Sequence, residues 1–319
     1  MSAVAGRPDV VGVGEAMVLL QPEPGGDLAS ADRLGVHVAG AELNVCAAIA
    51  RLGLSASFAS RVGDDPFGDR VIAAVRTLGV GTGLMKRDGG FPTGVFFKDM
   101  RPDGRRRVHY YRSGSAASVM DETDAKGIIE SRPRALVVSG VTVALGEGPE
   151  QLVRTLGTTA AEAGALLVVD PNLRPTLGRQ DQVIVAVRDL LEVTDLLVLG
   201  QDEAGPLFGE TAPEAVFASV PQRTEVVLKA GPEGVWCRDG DARPVHVPST
   251  ARHVRDPVGA GDALLGGYLA ARLSGASAER AARIGSLLAG RVVETLGDLE
   301  GLPAPDEAAG LMAGLGRPR

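Results

Sequence analysis

The chain has 319 residues, 45% of them hydrophobic and only 3% aromatic, and its 33 Lys+Arg against 40 Asp+Glu leave a net charge of -7. That length accommodates one large α/β domain or two modest ones, and the composition is that of a folded chain rather than a disordered one. The acidic balance argues against a general nucleic-acid binder, and no stretch approaches the ~18 apolar residues that span a bilayer.

The opening sequence MSAVAGRPDVVGVGEAM lacks the basic-then-apolar order of a secretory signal, so a soluble cytoplasmic protein with no membrane partner is expected. Cys46 and Cys237 belong to no CxxC pair and read as reduced thiols. His37, His109, His246 and His253 show no HxxxH or HExxH spacing for zinc. The 43 glycines require either many tight turns or close approach of the backbone to something.

Residues 9–14 (DVVGVG) form a short β-branched run ending in glycine, the pattern of a buried parallel strand. Gly12-x-Gly14 lacks the third glycine of a dinucleotide fingerprint, with Met17 in its place. Residues 18–38 are polar and Pro/Gly-rich. Helical periodicity follows over 42–52 and 67–78, where Phe67, Val71, Ile72, Val75 and Leu78 share a stripe that Gly79 stops. Residues 93–112 read as a hairpin in which VFFKDM and RRVHYYR flank Pro102-Asp103-Gly104.

Buried-type strands then recur at 135–139, 166–170, 196–199 and 226–229, with helices over 148–163 and 180–193. Two helices, over 261–273 and 278–296, close the pattern. This alternation predicts an α/β fold with a mostly parallel sheet covered on both faces. The segments 15–39 and 93–112 fall outside the rhythm and are assigned to a small β lid. The α/β core then takes 9–14, 40–92 and 113–305, and a Gly/Ala-rich tail over 306–319 carries no chemistry.

The strongest motif is Asp256-Pro257-Val258-Gly259-Ala260-Gly261-Asp262. Small residues at the start of an apolar helix leave backbone amides open as an anion cradle. A carboxylate beside that cradle makes sense if it takes a proton from a hydroxyl while the cradle steadies a transferring phosphoryl group. The other reading is a plain Asp N-cap after a glycine turn.

DPVGAGDALLGGYL resembles the C-terminal signature of the ribokinase-like (PfkB) carbohydrate kinases, and the likeness extends over residues 10–303. It implies a Rossmann-like sheet with a β lid, Asp262 as catalytic base, and Gly259, Ala260 and Gly261 as the anion hole. Ala39-Gly40-Ala41-Glu42-Leu43-Asn44, then RLG and RVGDDPFG, resemble the N-terminal signature, with Ala41 and Leu43 departing from the usual GGxxxN form. Within the family, the chain most resembles the 2-keto-3-deoxygluconate kinases, through YYRSGSA at 110–116, Asp170-Pro171-Asn172-Leu173-Arg174 and Gly14-Glu15.

That branch implies phosphorylation by ATP of the C6 hydroxyl of 2-keto-3-deoxygluconate. Gly40, Ala41, Asn44, Tyr110, Arg112 and Arg174 would line the substrate site, the two arginines gripping the sugar acid's carboxylate. Arg112 is alternatively a solvated hairpin charge beside Arg101, Arg105, Arg106 and Arg107. Phe96 replaces a tyrosine often found on the first lid strand. On the nucleotide side, Lys229, Gly231 and Gly234 match a strand-turn near ATP, and residues 285–290 are candidates to shelter the adenine. Glu203 matches a magnesium-associated N-x-x-E motif in which Gly200 replaces the Asn; alternatively it caps its helix. Mg²⁺ is the implied metal, a monovalent cation a further candidate, and a homodimer through the lid the implied assembly. A fructokinase or other ketose kinase is the runner-up, and a non-catalytic sugar-acid sensor stands third.

Overall fold

In the computed structural model, which describes residues 7–23, 26–100 and 106–314, the chain starts with β1 (Val10–Val13), β2 (Met17–Pro22), β3 (Leu34–Ala39) and α1 (Ala41–Arg51). Next come β4 (Ala56–Gly63), α2 (Pro66–Thr77), β5 (Met85–Asp88), β6 (Val95–Met100) and β7 (Arg106–Tyr111). An alternating stretch follows: α3 (Ala125–Glu130), β8 (Ala135–Ser139), α4 (Gly140–Val143), α5 (Glu147–Thr159), β9 (Leu166–Asp170) and α6 (Gln180–Leu190). It continues with β10 (Leu196–Gly200), α7 (Gln201–Phe208), α8 (Pro213–Ala218) and β11 (Glu225–Lys229). The last elements are β12 (Val235–Arg238), β13 (Val245–Val247), α9 (Ala260–Leu273), α10 (Ala278–Val293) and α11 (Pro305–Ala313).

The main sheet has nine strands in the order β13-β12-β11-β10-β9-β8-β1-β4-β5. It is parallel from β11 to β5, and β12 and β13 add an antiparallel edge. Its strands are apolar throughout because successive side chains feed two separate cores. Val10, Val137, Val198 and Val227 point to one, under α1, α9 and α10. Val11, Leu136, Leu197 and Leu228 point to the other, under α5 and α6.

Strand order reverses between β1 and β8, and in open α/β sheets ligands collect at such a switch point, beyond the strands' carboxyl ends. Those ends carry Glu15, Ser139, Asp170, Gly200 and Lys229. The lid segments form a separate four-stranded sheet, β3-β2-β6-β7, in which the hairpin β6–β7 adds to β2 in parallel. The Pro102-Asp103-Gly104 turn, with Arg101 and Arg105, lies outside the described residues.

The helices match their expected spans to within a few residues, and Gly79, at φ +77°, ends α2 as read from the sequence. Strands β4, β5, β12 and β13 were not legible. β4 (ASFASRVG) mixes serines and an arginine into its apolar set, and β5 (MKRD) is a charged edge strand. Within the tail, α11 packs Ala308 into the core beside α10. Both cysteines are free and buried, and burial pushes each thiol up to about 12. No helix among the described residues is long and apolar enough to cross a membrane.

Candidate active site

Asp262 is not an N-cap. Gly259 occupies the cap of α9 in the left-handed conformation (φ +80°), no side chain caps the helix, and Asp262 is its third residue. Ala260 and Gly261 precede it; the Ala260 amide donates to the Pro257 carbonyl at 3.4 Å, whereas the Gly261 and Asp262 amides, early in the first turn, have no backbone partner among the described residues. Gly259 is also hemmed in, since a Cβ there would lie 2.6 Å from the carbonyl oxygen of Asp298. The helix is buried from Asp262 to Ala271, and the Gly259–Gly261 turn before it is only partly covered.

Asn44, from α1, donates from Nδ2 to Asp262 Oδ2 at 2.8 Å. The two helices approach this closely because Gly266 of α9 has no side chain: a Cβ there would lie 2.5 Å from that of Ala48. Burial pushes the Asp262 carboxyl up to about 7; the Asn44 hydrogen bond opposes that shift, Asp170 and Asp298 add to it, and Arg174 pulls it down. A buried carboxylate with its proton poised near neutrality, beside exposed-type amides, is equipped to accept a proton from a hydroxyl.

On the nucleotide side, Lys229 lies against this turn, its Nζ 3.6 Å from where a Gly261 Cβ would be. Its Nζ donates to both Asp170 oxygens at 3.1 and 3.2 Å. Burial alone would lower the Lys229 ammonium, but the charges of Asp170 and Glu203 outweigh it and raise it. Gly231, at φ +55°, has nothing within 4 Å of its Cβ direction and leaves open space there. Gly234 has a different occupation, because its Cβ would fall 2.2 Å from Val247 O, so it fits β13 rather than a ligand. Gly285 likewise packs on Gly267 across the α9–α10 contact, and Gly290 on Thr250, which leaves neither free to shelter a base.

Glu203 accepts the Leu173 amide on Oε1 at 2.6 Å and the Gly200 amide on Oε2, closing the N-terminus of α7. Helix capping therefore accounts for it, and burial raises its carboxyl. Each Glu203 oxygen accepts one amide and keeps a second lone pair, so capping and the ordering of waters around Mg²⁺ are compatible. No cluster of three or more His, Cys, Asp or Glu among the described residues is arranged to cage a metal.

On the substrate side, Arg112 is buried, which removes the reading of a solvated hairpin charge. Its Nε lies 2.6 Å from Glu15 Oε2, and its guanidinium stands 5.6 Å from the centre of the Tyr110 ring. Its Nη2 is buried without a hydrogen-bond partner among the described residues. Ser115 donates to the other oxygen of Glu15. Tyr110 is half-buried and stacks on Phe96, with ring centres 5.8 Å apart. Arg174 is exposed in the loop after β9, near enough for its charge to act on Asp262. Gly40 caps α1, and its missing side chain makes room for the Glu15 carbonyl, 2.4 Å from where a Cβ would lie; Ala41 is the first helical residue.

Three participants went unread in the sequence. Glu15 was noted only as a branch marker, Asp170 only within a motif, and Asp298 not at all. Asp298 Oδ2 accepts from Asn44 Nδ2 at 3.5 Å, and its Oδ1 pairs with Lys98 of β6 at 2.7 Å.

Comparison with known proteins agrees with this geometry. The model of the "pfkB family carbohydrate kinase" matches residues 7–305. The chain is 33% identical to the 2-dehydro-3-deoxygluconokinase of Thermoproteus tenax, covering 96% of this chain and 94% of that one. It is 32% identical to Fructokinase-1 of Oryza sativa subsp. japonica over 83% of this chain and 84% of that one. The crystal structure of a PfkB protein from Polaromonas sp. JS666 superposes with a TM-score of 0.83 at 34% identity, over 94% and 98% of the two chains. A parallel sheet with a small second sheet, a glycine-capped helix carrying a buried aspartate at its carboxyl edge, and a match over nearly the whole length lead to one conclusion: the chain belongs to the pfkB family of carbohydrate kinases.

Proposed function

We propose that this kinase transfers the γ-phosphoryl group of ATP to the C6 hydroxyl of 2-keto-3-deoxygluconate, giving 2-keto-3-deoxy-6-phosphogluconate. The observation that carries the reading is Asp262, buried at the start of α9, oriented by Asn44 and with its carboxyl pushed up to about 7. The hydroxyl gives its proton to Asp262 as its oxygen attacks the phosphorus in line. The Gly259–Gly261 turn stabilises the charge on the transferring group, and Lys229, paired with Asp170, holds positive charge beside it. Mg²⁺, when bound with the nucleotide, would neutralise phosphate charge, and Glu203 at the start of α7 is the residue that would order its waters.

The sugar acid's carboxylate is assigned to Arg112 and Arg174. Arg112 presents a buried Nη2 with no partner of its own, a donor that an anionic ligand satisfies. Relatives named 2-dehydro-3-deoxygluconokinase match over 96% of the chain and Fructokinase-1 over 83%, so the ketose kinase is the weaker alternative, and substrate turnover tests it. In a coupled ADP-release assay, 2-keto-3-deoxygluconate is expected to exceed fructose in kcat/KM by at least about tenfold, a cost in the range of one lost charged hydrogen bond. Equal or better turnover of fructose would establish the ketose kinase instead, and no turnover of either would favour the sensor.

A further inference from the structure

If Asp262 is the base, a second carboxylate beside it works against its ionisation, and the fold has nevertheless placed one there. Asp298, in the loop after α10, shares the Asn44 Nδ2 donor with Asp262, at 3.5 Å against 2.8 Å. Its backbone fills the space behind Gly259, so it also backs the anion hole. Its free oxygen is met by Lys98, which reaches across from the small sheet. The two side chains are only 13% and 11% exposed, so both ions have left water for this contact, an arrangement that seldom adds stability of its own.

We propose that Asp298 is a positioning residue for the reaction, and that Lys98, arriving with the small sheet, acts on the base through it. The inference rests on the assignment of Asp262 as base. With Lys98 seated, the charge of Asp298 is matched and Asp262 is free to ionise. With Lys98 withdrawn, the uncompensated carboxylate keeps a proton on Asp262 and the base is switched off. Phosphoryl transfer is then confined to the closed arrangement, in which water is excluded and ATP is not wasted on hydrolysis. The other charges facing Asp262 are Asp170 and Lys229 at the sheet edge and Arg174 in the loop after β9. All three belong to the main-sheet unit that carries the base, whereas Lys98 belongs to the small sheet. Arg112 and Glu15 are committed to each other.

The test is the pH dependence of kcat/KM for the wild type, Asp298→Asn, Lys98→Met and the double variant. Removing the carboxylate is expected to move the acid limb about one unit to lower pH, and removing the ammonium to move it to higher pH by a similar amount. The double variant follows Asp298→Asn, because Lys98 acts through that residue, and Lys98→Arg keeps the wild-type profile. A merely structural bridge would give losses of the same kind in both single variants. Shifts in the same direction, or an unmoved limb in Asp298→Asn, would overturn the proposal. Should Lys98→Met fail to fold, the near-isosteric Asp298→Asn decides alone. Full turnover in Asp262→Asn would remove the base itself, whereas an inactive Asp262→Asn with an unmoved Asp298→Asn profile removes only the coupling.

Discussion

At the scale of single residues, the site is organised around a carboxyl group that the protein pays to bury. Asp262 holds its proton up to about pH 7 in the folded chain, against an ordinary value of 3.8. Between those values the native state binds more protons than the unfolded one. The stability contributed by this group is therefore complete below about pH 4 and is lost as the pH rises through 7. Asn cannot ionise, so Asp262→Asn should match the wild type in Tm near pH 4 and exceed it by several degrees near pH 8. The same variant should lose about 10²–10⁴ in kcat with ATP binding little changed. Thermal melts at the two pH values and steady-state kinetics check both halves. A variant equally stable at both pH values, or one with normal turnover, would contradict the assignment.

Among the elements, α9 has the most to hold in place. Its first turn carries the proposed cradle and base, and its far end is tied to β11 by Arg272, which grips Glu225 through Nε and Nη2 at 2.8 and 2.7 Å. Tyr268, fully buried, donates to the same carboxylate. Its spacing from α1 rests on Gly266, whose Cβ direction ends against Ala48 and the Val45 carbonyl, within one helical turn of Asn44. Gly266→Ala adds a methyl where none fits, and overpacking of this kind costs about 1–3 kcal/mol. Because the displaced partner is the helix that carries Asn44, the loss should fall on kcat more than on KM for ATP. Urea melts and a kcat/KM comparison test it, and a variant destabilised without any change in kcat would break the link between helix spacing and the base.

For the molecule as a whole, the residues proposed to bind nucleotide all lie on the main-sheet unit, and those proposed to bind substrate come from both units. The small sheet leaves Leu34, Val108 and Tyr111 exposed, the last by 68%. A homodimer through this sheet would cover them. Sedimentation should show a dimer that Tyr111→Glu converts to monomer, and a monomeric wild type at assay concentrations would refute the pairing.

The legible part of the site was local: DPVGAGD carries its glycines, its helix start and its aspartate within seven residues, and needs no tertiary knowledge to interpret. Asn44 was found only through the resemblance, because 218 residues separate it from its partner. Asp298 was illegible, since Leu-Gly-Asp-Leu-Glu-Gly reads as an ordinary turn until the fold sets it behind Gly259. Gly234 shows the reverse failure, a motif glycine whose close neighbour is the chain's own β13.

The chain crosses between the two sheets four times, and Glu15 meets every crossing. It lies in the first; its carbonyl occupies the space beside Gly40 in the second, and its Oε1 lies 2.5 Å from where a Gly94 Cβ would be in the third. In the fourth, its carboxylate holds Arg112 and Ser115. Four crossings held against one residue cannot shift independently, so any movement of the small sheet relative to the main one would have to pass through Glu15. Because Arg112 is fastened to it, the placement of that guanidinium and the seating of the small sheet are set by one joint.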